Sequence, residues 1–217
     1  MQFSGIPEEV TGHNTMKEQI EFLKRHCEFN SPTDCYIILA VSRKKDTPDI
    51  TNSTEIVFRD VIKSASDIEK KYLKIRASVT NYRDVNGRSF PFYIYISSNP
   101  RDGRKATIEL VRRITYWLEL EPKDKAMGEK YKRTYSEFYS ALAIPECRGS
   151  KKYFMIDVDT KDPSVLEDLI DKLGSKLLEK RETRHGYHIK TLPFNRLEIP
   201  DITGLMTTKT DALMFVE

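Results

Sequence analysis

The sequence predicts an α/β fold of the α+β type, and three observations support this class. Runs rich in β-branched and aromatic residues at 36–41 and 92–97 are typical of strands. Apolar residues at helical spacing follow capping signals at Thr15 and Asp162, which predicts helices. The chain has 217 residues, of which 39% are hydrophobic, so it is long enough to bury a sizeable core.

The first half of the chain is predicted to contain both helices and strands. Thr15 and Glu18 fit a capping box, and Asn86-Gly87 is typical of a tight turn because both residue types accept positive φ. Residues 55–78 follow no single period, and we favour a helix there that gives way to a strand. The expected elements are a helix over 15–29, a strand over 36–41, a polar loop over 46–53, a strand over 74–80, a turn over 84–88, a strand over 92–97, a helix containing Ile108 to Leu118, an exposed charged segment over 121–133 and a helix containing Tyr135 to Leu142.

The second half is predicted to read strand–helix–strand–strand. Asp162 and Pro163 are typical of the N-cap and first position of a helix. The apolar stripe of that helix runs from Val165 to Leu177. The expected strands are 153–159, 186–191 and 212–216, and the expected modules are an N-terminal α/β module over 1–145 and a smaller one over 146–217, together forming one compact domain.

Composition and charge exclude several classes of protein. The net charge is only +3, so a nucleic-acid surface requires local clustering of the 36 Lys and Arg. The three cysteines, Cys27, Cys35 and Cys147, are too scattered for a zinc site and fit a reducing compartment. No basic segment followed by an apolar one opens the chain, and no apolar run reaches the ~20 residues of a membrane span. We therefore expect a cytoplasmic protein without a signal peptide or membrane segment.

The pattern with the clearest chemistry is the pair of acids in the strand-like run over 153–159. Asp157 and Asp159 point to one face of a strand, because side chains alternate. Two carboxylates held close together repel each other unless a cation lies between them. Oxygen ligands favour Mg²⁺ or Mn²⁺, ions that usually bind together with phosphates. The alternative is a pair of exposed acids on an edge strand.

A second group of chemically capable residues follows the helix. Gly186 allows close backbone approach, and His188 and Lys190 share one face of the next strand. Lys190 and Arg184 are suited to binding phosphates. His188 is suited either to donating a hydrogen bond to a phosphate or to acting as a general acid. A third acid is expected from Asp211 at the start of the last strand, with Glu217 as the weaker choice.

Residues 99–105 form a basic turn in front of a predicted helix. Helix N-termini bind phosphates through free N–H groups, so this turn is a candidate contact for a nucleic-acid backbone. A solvated helix start is the alternative. The candidate residues are Asn99, Arg101, Arg104 and Lys105.

The order of these motifs resembles the archaeo-eukaryotic primase (PrimPol-like) superfamily, in its phage and mobile-element type. That family has an hDhD strand, then a small-x-His strand, then an acidic residue on a third strand. The matching runs here are Met155 to Asp159, Arg184 to Ile189 and Lys209 to Met214. The run over 93–101 also resembles the strand and basic turn found upstream in such members.

The resemblance implies an RRM-like catalytic module packed on an N-terminal α/β module. It implies two divalent metals on Asp157, Asp159 and Asp211, with His188 contacting the phosphates of the incoming nucleotide. The expected activity is therefore nucleotidyl transfer by a primase or primase-polymerase. Nucleoside triphosphates, single-stranded DNA or RNA, and a helicase or other replication protein are the expected partners. The alternatives are a metal-dependent endonuclease that cuts single-stranded DNA with the same acids, and a non-catalytic nucleic-acid-binding relic.

Overall fold

A computed structural model describes residues 15–43, 55–84, 86–199 and 204–217. Within these ranges the chain forms six α-helices and nine strands in two antiparallel sheets. The helices are α1 (Met16–His26), α2 (Ile68–Asn81), α3 (Gly103–Leu120), α4 (Gly128–Tyr131), α5 (Thr134–Ala143) and α6 (Pro163–Leu173). The strands are β1 (Asp34–Ser42), β2 (Ile56–Ile62), β3 (Tyr93–Ser97), β4 (Arg101–Asp102), β5 (Phe154–Val158), β6 (Leu177–Glu182), β7 (Tyr187–Thr191), β8 (Met206–Lys209) and β9 (Leu213–Phe215).

The first sheet has the strand order β2-β1-β3-β9, and the short β4 pairs with β1. Almost every residue of β1 is buried, because both faces of the sheet are covered around it. Tyr36 and Ile38 pack on one face with α1 and α2. Cys35 and Ile37 pack on the other face with α3 and α5.

The second sheet has the order β6-β7-β5-β8, with all neighbouring strands antiparallel. β5 and β6 are therefore parallel to each other on either side of β7, and α6 connects them, which makes a split β-α-β unit. This strand order is the one that an RRM-like module requires. On the outer face of the sheet, Ile156 and Ile189 pack against Leu166 and Leu169 of α6.

The two sheets share part of one core. Met155 of β5 is 1% exposed and belongs to the same apolar cluster as Tyr36 and Met214. β9 pairs with β3 of the first sheet although it follows β8 of the second. The predicted division after residue 145 therefore separates β1–β4 from β5–β8, while the last strand returns to the first sheet.

Most of the predicted elements are confirmed, with ends shifted by a few residues. Thr15 and Glu18 form the capping box of α1. Asp162 caps α6 by accepting a hydrogen bond from the Ser164 N–H, and Pro163 occupies the first turn. Gly87 has a φ of 76°, as the predicted turn requires. The polar loop over 46–53 lies outside the described residues.

The predicted order of elements over residues 55–78 is wrong, although the expected helix does form there. The chain forms strand β2 first and then helix α2, which continues through the predicted strand over 74–80. The pattern was misleading because β2 is an edge strand with a buried acid, Asp60, among its apolar residues. Val79 and Thr80, β-branched residues typical of strands, end the helix instead.

The segment after α6 also differs from the prediction. Leu177, expected as the end of the helical stripe, is the first residue of β6. β6 and β8 were not predicted; both are edge strands of the second sheet with many exposed or half-exposed residues. Among the described residues, none of the helices combines the length and the apolar character that crossing a bilayer requires.

Candidate functional site

The inner face of the second sheet, turned toward the first sheet, is polar. Alternation along β5 and β7 places Asp157 and His188 on this face, while Ile156 and Ile189 face α6. The same alternation and register add residues from β6 and β8. The polar residues of this face are Asp157, Glu179, Arg181, His188, Lys190, Thr207 and Lys209.

Asp157 lies at the centre of this face and contacts a residue from each neighbouring strand. His188 is its direct cross-strand partner on β7, with Nε2 3.3 Å from Asp157 Oδ1. Lys209 on β8 places Nζ 2.6 Å from Asp157 Oδ2. β5 is an interior strand of the sheet, so the alternative of an acid on an edge strand is wrong for Asp157. Its side chain is 23% exposed, which leaves it accessible from solvent.

The orientation of His188 is fixed from two sides. The backbone N–H of Phe215, on the free edge of β9, donates a 2.9 Å hydrogen bond to His188 Nδ1. In the neutral imidazole the proton then lies on Nε2, which donates to Asp157. The first sheet thus sets the tautomer of a histidine that belongs to the second.

Asp157 is a strongly stabilised anion. The hydrogen bond from His188 holds the pKa of this carboxyl well below its usual range, and the bond from Lys209 adds to the effect against the opposing influence of burial. The carboxylate is therefore ionised at neutral pH, as a cation ligand must be.

Asp159 follows β5 directly and is exposed. Its backbone N–H donates to the carbonyl of Leu205 at 2.8 Å. This bond ties the end of β5 to the segment before β8. Two acids therefore stand at this end of the strand, one half-buried and one exposed.

Gly186 permits the close approach that the sequence predicts. A Cβ at this position would overlap the carbonyl oxygen of Val158 and lie 2.9 Å from the amide nitrogen of Thr160. The turn before β7 therefore packs directly on the chain between the two acids and the start of α6. Any side chain at 186 would displace this part of the site.

Asp211 is not brought to Asp157. Its two carboxylate oxygens accept hydrogen bonds from Arg101 at 2.8 and 2.5 Å, and Arg148 approaches at 3.6 Å. Thr207 lies opposite Asp157 in the register of β5 and β8, and Lys209, the last residue of β8, lies opposite Met155. Asp211 therefore follows the end of β8 that is farther from Asp157. Arg101 is only 5% exposed, and its charge is neutralised by the ion pair with Asp211.

Glu217, the weaker choice for the third acid, also lies elsewhere. Its carboxylate accepts a hydrogen bond from the Tyr72 hydroxyl at 2.8 Å and is 3.1 Å from Arg76 Nε. Both partners belong to α2. The carboxylate therefore joins the C-terminus to the helical layer of the first sheet.

Asn99 is fully buried and connects three backbone segments. Its amide nitrogen donates to the carbonyls of Tyr153 and Thr210, and its oxygen accepts from the Tyr153 N–H. With these bonds made, Asn99 has no group directed toward solvent. It links the turn after β3 to the ends of the second sheet.

Lys190 shares the inner face with His188, as predicted, but is 3% exposed. Nζ donates to the carbonyl of His26 at 3.1 Å and lies 4.2 Å from the centre of the Tyr153 ring. Burial lowers the pKa of Lys190. The other three predicted basic residues, Arg184, Arg104 and Lys105, are exposed. Lys105 donates to the carbonyl of Arg148.

Sequence reasoning missed several residues of the inner face. Lys209 and Phe215 were missed because β8 was not predicted and the position of β9 depends on strand pairing. His26 was given no role, yet it is 1% exposed, with Nδ1 3.3 Å from Glu179 and Nε2 3.1 Å from the Ser97 carbonyl. Burial lowers the pKa of His26, and Lys190 adds to this effect. Arg181 donates to the carbonyl of Val216 and to Gln19, so these residues hold the two sheets together.

The donor set fits a divalent cation only in part. Among the described residues, no group of three or more His, Cys, Asp or Glu side chains could hold a metal ion. Mg²⁺, however, is usually bound by one or two carboxylates together with substrate phosphates and water. Asp157 and Asp159 provide such a pair. The ammonium of Lys209 takes the place of a cation beside Asp157.

Comparisons of the chain with protein-family models, with curated proteins and with solved structures found no match.

Proposed function

We propose that the protein is a metal-dependent nucleotidyltransferase of the primase or primase-polymerase kind that acts on single-stranded nucleic acid. The observation that carries the proposal is the cross-strand contact of Asp157 with His188 on the two interior strands of a split β-α-β sheet. This is the relation that the resemblance implies between the hDhD strand and the histidine strand.

In the proposed site each residue has a role that its environment supports. Asp157 and Asp159 hold Mg²⁺ or Mn²⁺, which would stabilise the charge that develops on the triphosphate during transfer. His188 Nε2, which donates to Asp157 in this structure, would donate to a phosphate oxygen instead once a nucleotide binds, because Phe215 keeps Nδ1 occupied. Lys209 is a 42% exposed cation beside Asp157 and is suited to binding another phosphate oxygen.

The proposal assigns a different task to Asp211 than the resemblance implies. Its pairing with Arg101 and Arg148 supports a positioning role, in which it secures the chain between β8 and β9. Phe215 of β9 in turn orients His188. Arg101 and Asn99 then stabilise the chain segments around the site and do not contact the nucleic-acid backbone.

The test is extension of a labelled single-stranded oligonucleotide, with and without a primer, in the presence of Mn²⁺ and either NTPs or dNTPs. We expect extension by the wild type and a loss of about a hundredfold or more in Asp157→Asn and His188→Asn. Asp168→Asn is the matched control, since Asp168 pairs with Lys172 on the exposed side of α6. A wild type that does not extend the strand, or an unaffected Asp157→Asn, would contradict the proposal. Shortening of the strand without nucleotides would indicate the endonuclease alternative.

One observation favours a second candidate, a nucleic-acid-binding module without catalysis. Lys209 neutralises Asp157, and Arg101 neutralises Asp211, so two of the three predicted metal ligands already have a counter-charge. This candidate predicts binding of single-stranded nucleic acid that persists in EDTA and in Asp159→Asn, together with no extension under any condition.

A further inference from the structure

Three aromatic side chains lie side by side on one face of the first sheet, at its β3–β9 edge. Tyr93 and Tyr95 alternate onto the same face of β3, and Phe215 is the direct cross-strand partner of Tyr95 on β9. The Phe215 ring centroid is 5.8 Å from that of Tyr95 and 6.3 Å from that of Tyr93. We refer to these three residues as the aromatic face.

The aromatic face is distinct from the apolar cores. On the same side of the sheet, Cys35, Ile37 and Val61 pack against α3 and α5. Each ring of the aromatic face is half-buried and belongs to none of the apolar clusters in the described part of the chain. The Phe215 ring is inclined by 73° to the Tyr95 ring and by 46° to the Tyr93 ring. The three rings therefore offer separate, partly exposed faces on which planar apolar groups could stack.

Positive charge surrounds the aromatic face. The Arg43 guanidinium lies 5.2 Å from the Tyr95 ring centroid, and exposed Arg184 donates to the Tyr93 hydroxyl at 3.3 Å. Glu55 is 4.0 Å from Arg43 and is itself 56% exposed, so this pair is solvated and weak. Arg43 lies over the Tyr95 ring and Arg184 lies at the Tyr93 hydroxyl, so positive charge adjoins the aromatic surface. Such a surface matches a ligand that combines flat apolar groups with negative charge.

The aromatic face is also continuous with the proposed catalytic site. Phe215 places its ring on this face, while its backbone N–H donates to His188. Arg184 lies on the turn that leads into β7, four residues before His188. A nucleic-acid strand whose bases lie on these rings would therefore place its sugar-phosphate backbone near Asp157 and His188.

From these contacts we infer that the aromatic face binds the unpaired bases of single-stranded nucleic acid, by stacking on Tyr93, Tyr95 and Phe215, with phosphates at Arg43 and Arg184. Stacking on aromatic rings accepts any base, and a basic border follows the backbone. The inference rests on the proposed function for the identity of the ligand, but it requires no catalysis.

The experiment compares two fluorescein-labelled strands of about twelve nucleotides, one of thymidylate and one of abasic sites with the same backbone. Binding is measured by fluorescence anisotropy in EDTA without nucleotides. We expect Tyr95→Leu to weaken thymidylate binding about tenfold or more, because a stacking ring is lost, and to leave abasic binding unchanged. Tyr95→Phe keeps the ring and should bind as the wild type does. Tyr116→Leu, at a 58% exposed tyrosine on α3, is the control.

Four results would overturn the inference: no thymidylate binding by the wild type, unchanged thymidylate binding in Tyr95→Leu and Tyr93→Leu, an equal loss for the abasic strand, or an equal loss in Tyr116→Leu. Thermal unfolding of each variant verifies folding, and Tyr93→Leu repeats the test at the second ring. Weaker thymidylate binding in Tyr95→Leu, combined with no extension by the wild type, would contradict the proposed function and leave this inference intact. Extension by the wild type, combined with unchanged thymidylate binding in Tyr95→Leu and Tyr93→Leu, would contradict this inference and leave the proposed function intact.

Discussion

Gly186 determines how closely β7 and its turn approach β5. Gly186→Ala is expected to lower the free energy of unfolding by about 2 kcal/mol or more. The added Cβ meets the backbone at Val158 and Thr160, and backbone cannot move aside as a flexible side chain can. Urea unfolding of the whole chain measures the change.

Gly128→Ala is the matched control for this substitution. Gly128 has a φ of −56° at the start of α4, and a Cβ there meets nothing within 4 Å. Alanine is favoured over glycine in a helix by about 1 kcal/mol, so this variant should be as stable as the wild type or slightly more so. If both variants lost the same stability, the close approach at Gly186 would not be the cause.

At the residue scale, the sequence identifies those features that depend on local pattern. Alternation is enough to place Asp157 on the face opposite Ile156, and the approach at Gly186 follows from its lack of a side chain. The Lys209 contact, the Phe215 N–H at His188 and the Arg101–Asp211 pair depend on which distant strands become neighbours. Local pattern carries no information on that pairing, so Asp211 was expected beside Asp157.

At the element scale, Asp60 joins β2 to α2. Lys71 and Lys74 donate to its carboxylate at 2.8 and 2.7 Å. Burial works against ionisation, but these hydrogen bonds outweigh it and hold the pKa of Asp60 below its usual value. Asp60→Asn is therefore expected to cost about 1–2 kcal/mol at pH 7.

The sign of the pH dependence follows from that lowered pKa. The unfolded chain binds the proton more readily than the folded one, so the stability from Asp60 is complete above about pH 4 and is lost as the pH falls below it. The difference between wild type and Asp60→Asn in urea unfolding should therefore shrink from pH 7 to pH 3. Asp67→Asn, whose side chain caps nothing, should show almost no difference at either pH. A gap that widens on acidification would contradict this account.

Asp211 joins the β8–β9 connection to Arg101 of β4. Asp211→Asn is expected to lower the free energy of unfolding by about 3 kcal/mol, because it leaves a guanidinium that is 5% exposed without its counter-charge. Asp168→Asn, in an exposed pair with Lys172, should cost under ~0.5 kcal/mol. Thermal unfolding compares the two. An unchanged stability in Asp211→Asn, with loss of Mn²⁺ binding, would instead support the ligand role that the resemblance implies.

Elements with strong local signals were predicted well, and the edge strands β2, β6 and β8 were not. α1 and α6 carry their own capping residues, and β3 is dense in β-formers. β2, β6 and β8 lie at the edges of their sheets, where half-exposed residues break the alternation. Their conformation is set by pairing with a buried neighbour, which local propensity does not report.

At the scale of the whole molecule, the two sheets meet through charged and polar groups as well as apolar ones. Arg181 donates to Gln19 and to the Val216 carbonyl, and Lys190 donates to the His26 carbonyl. These hydrogen bonds attach the second sheet to α1 and to the chain at β9. The orientation of His188 therefore depends on the packing of the two sheets, since its Nδ1 partner belongs to β9.

The α/β class could be anticipated from the local patterns, and an RRM-like module was expected only from the resemblance. The return of β9 to the first sheet could not be anticipated, because the three residues between β8 and β9 do not by themselves determine which sheet β9 joins. Because β9 pairs with the first sheet, Asp211 lies away from Asp157, while the backbone N–H of Phe215 reaches His188. The central claim that remains is that Asp157 and Asp159 bind a divalent cation together with a nucleotide.

Electron paramagnetic resonance of Mn²⁺ tests this claim most directly, on the whole chain with a non-hydrolysable nucleoside triphosphate. We predict that the wild type binds Mn²⁺, that Asp157→Asn and Asp159→Asn weaken binding at least about tenfold, and that Asp168→Asn binds as the wild type does. Wild-type protein that leaves the Mn²⁺ signal unchanged, or Asp157→Asn that binds Mn²⁺ with undiminished affinity, would contradict the account.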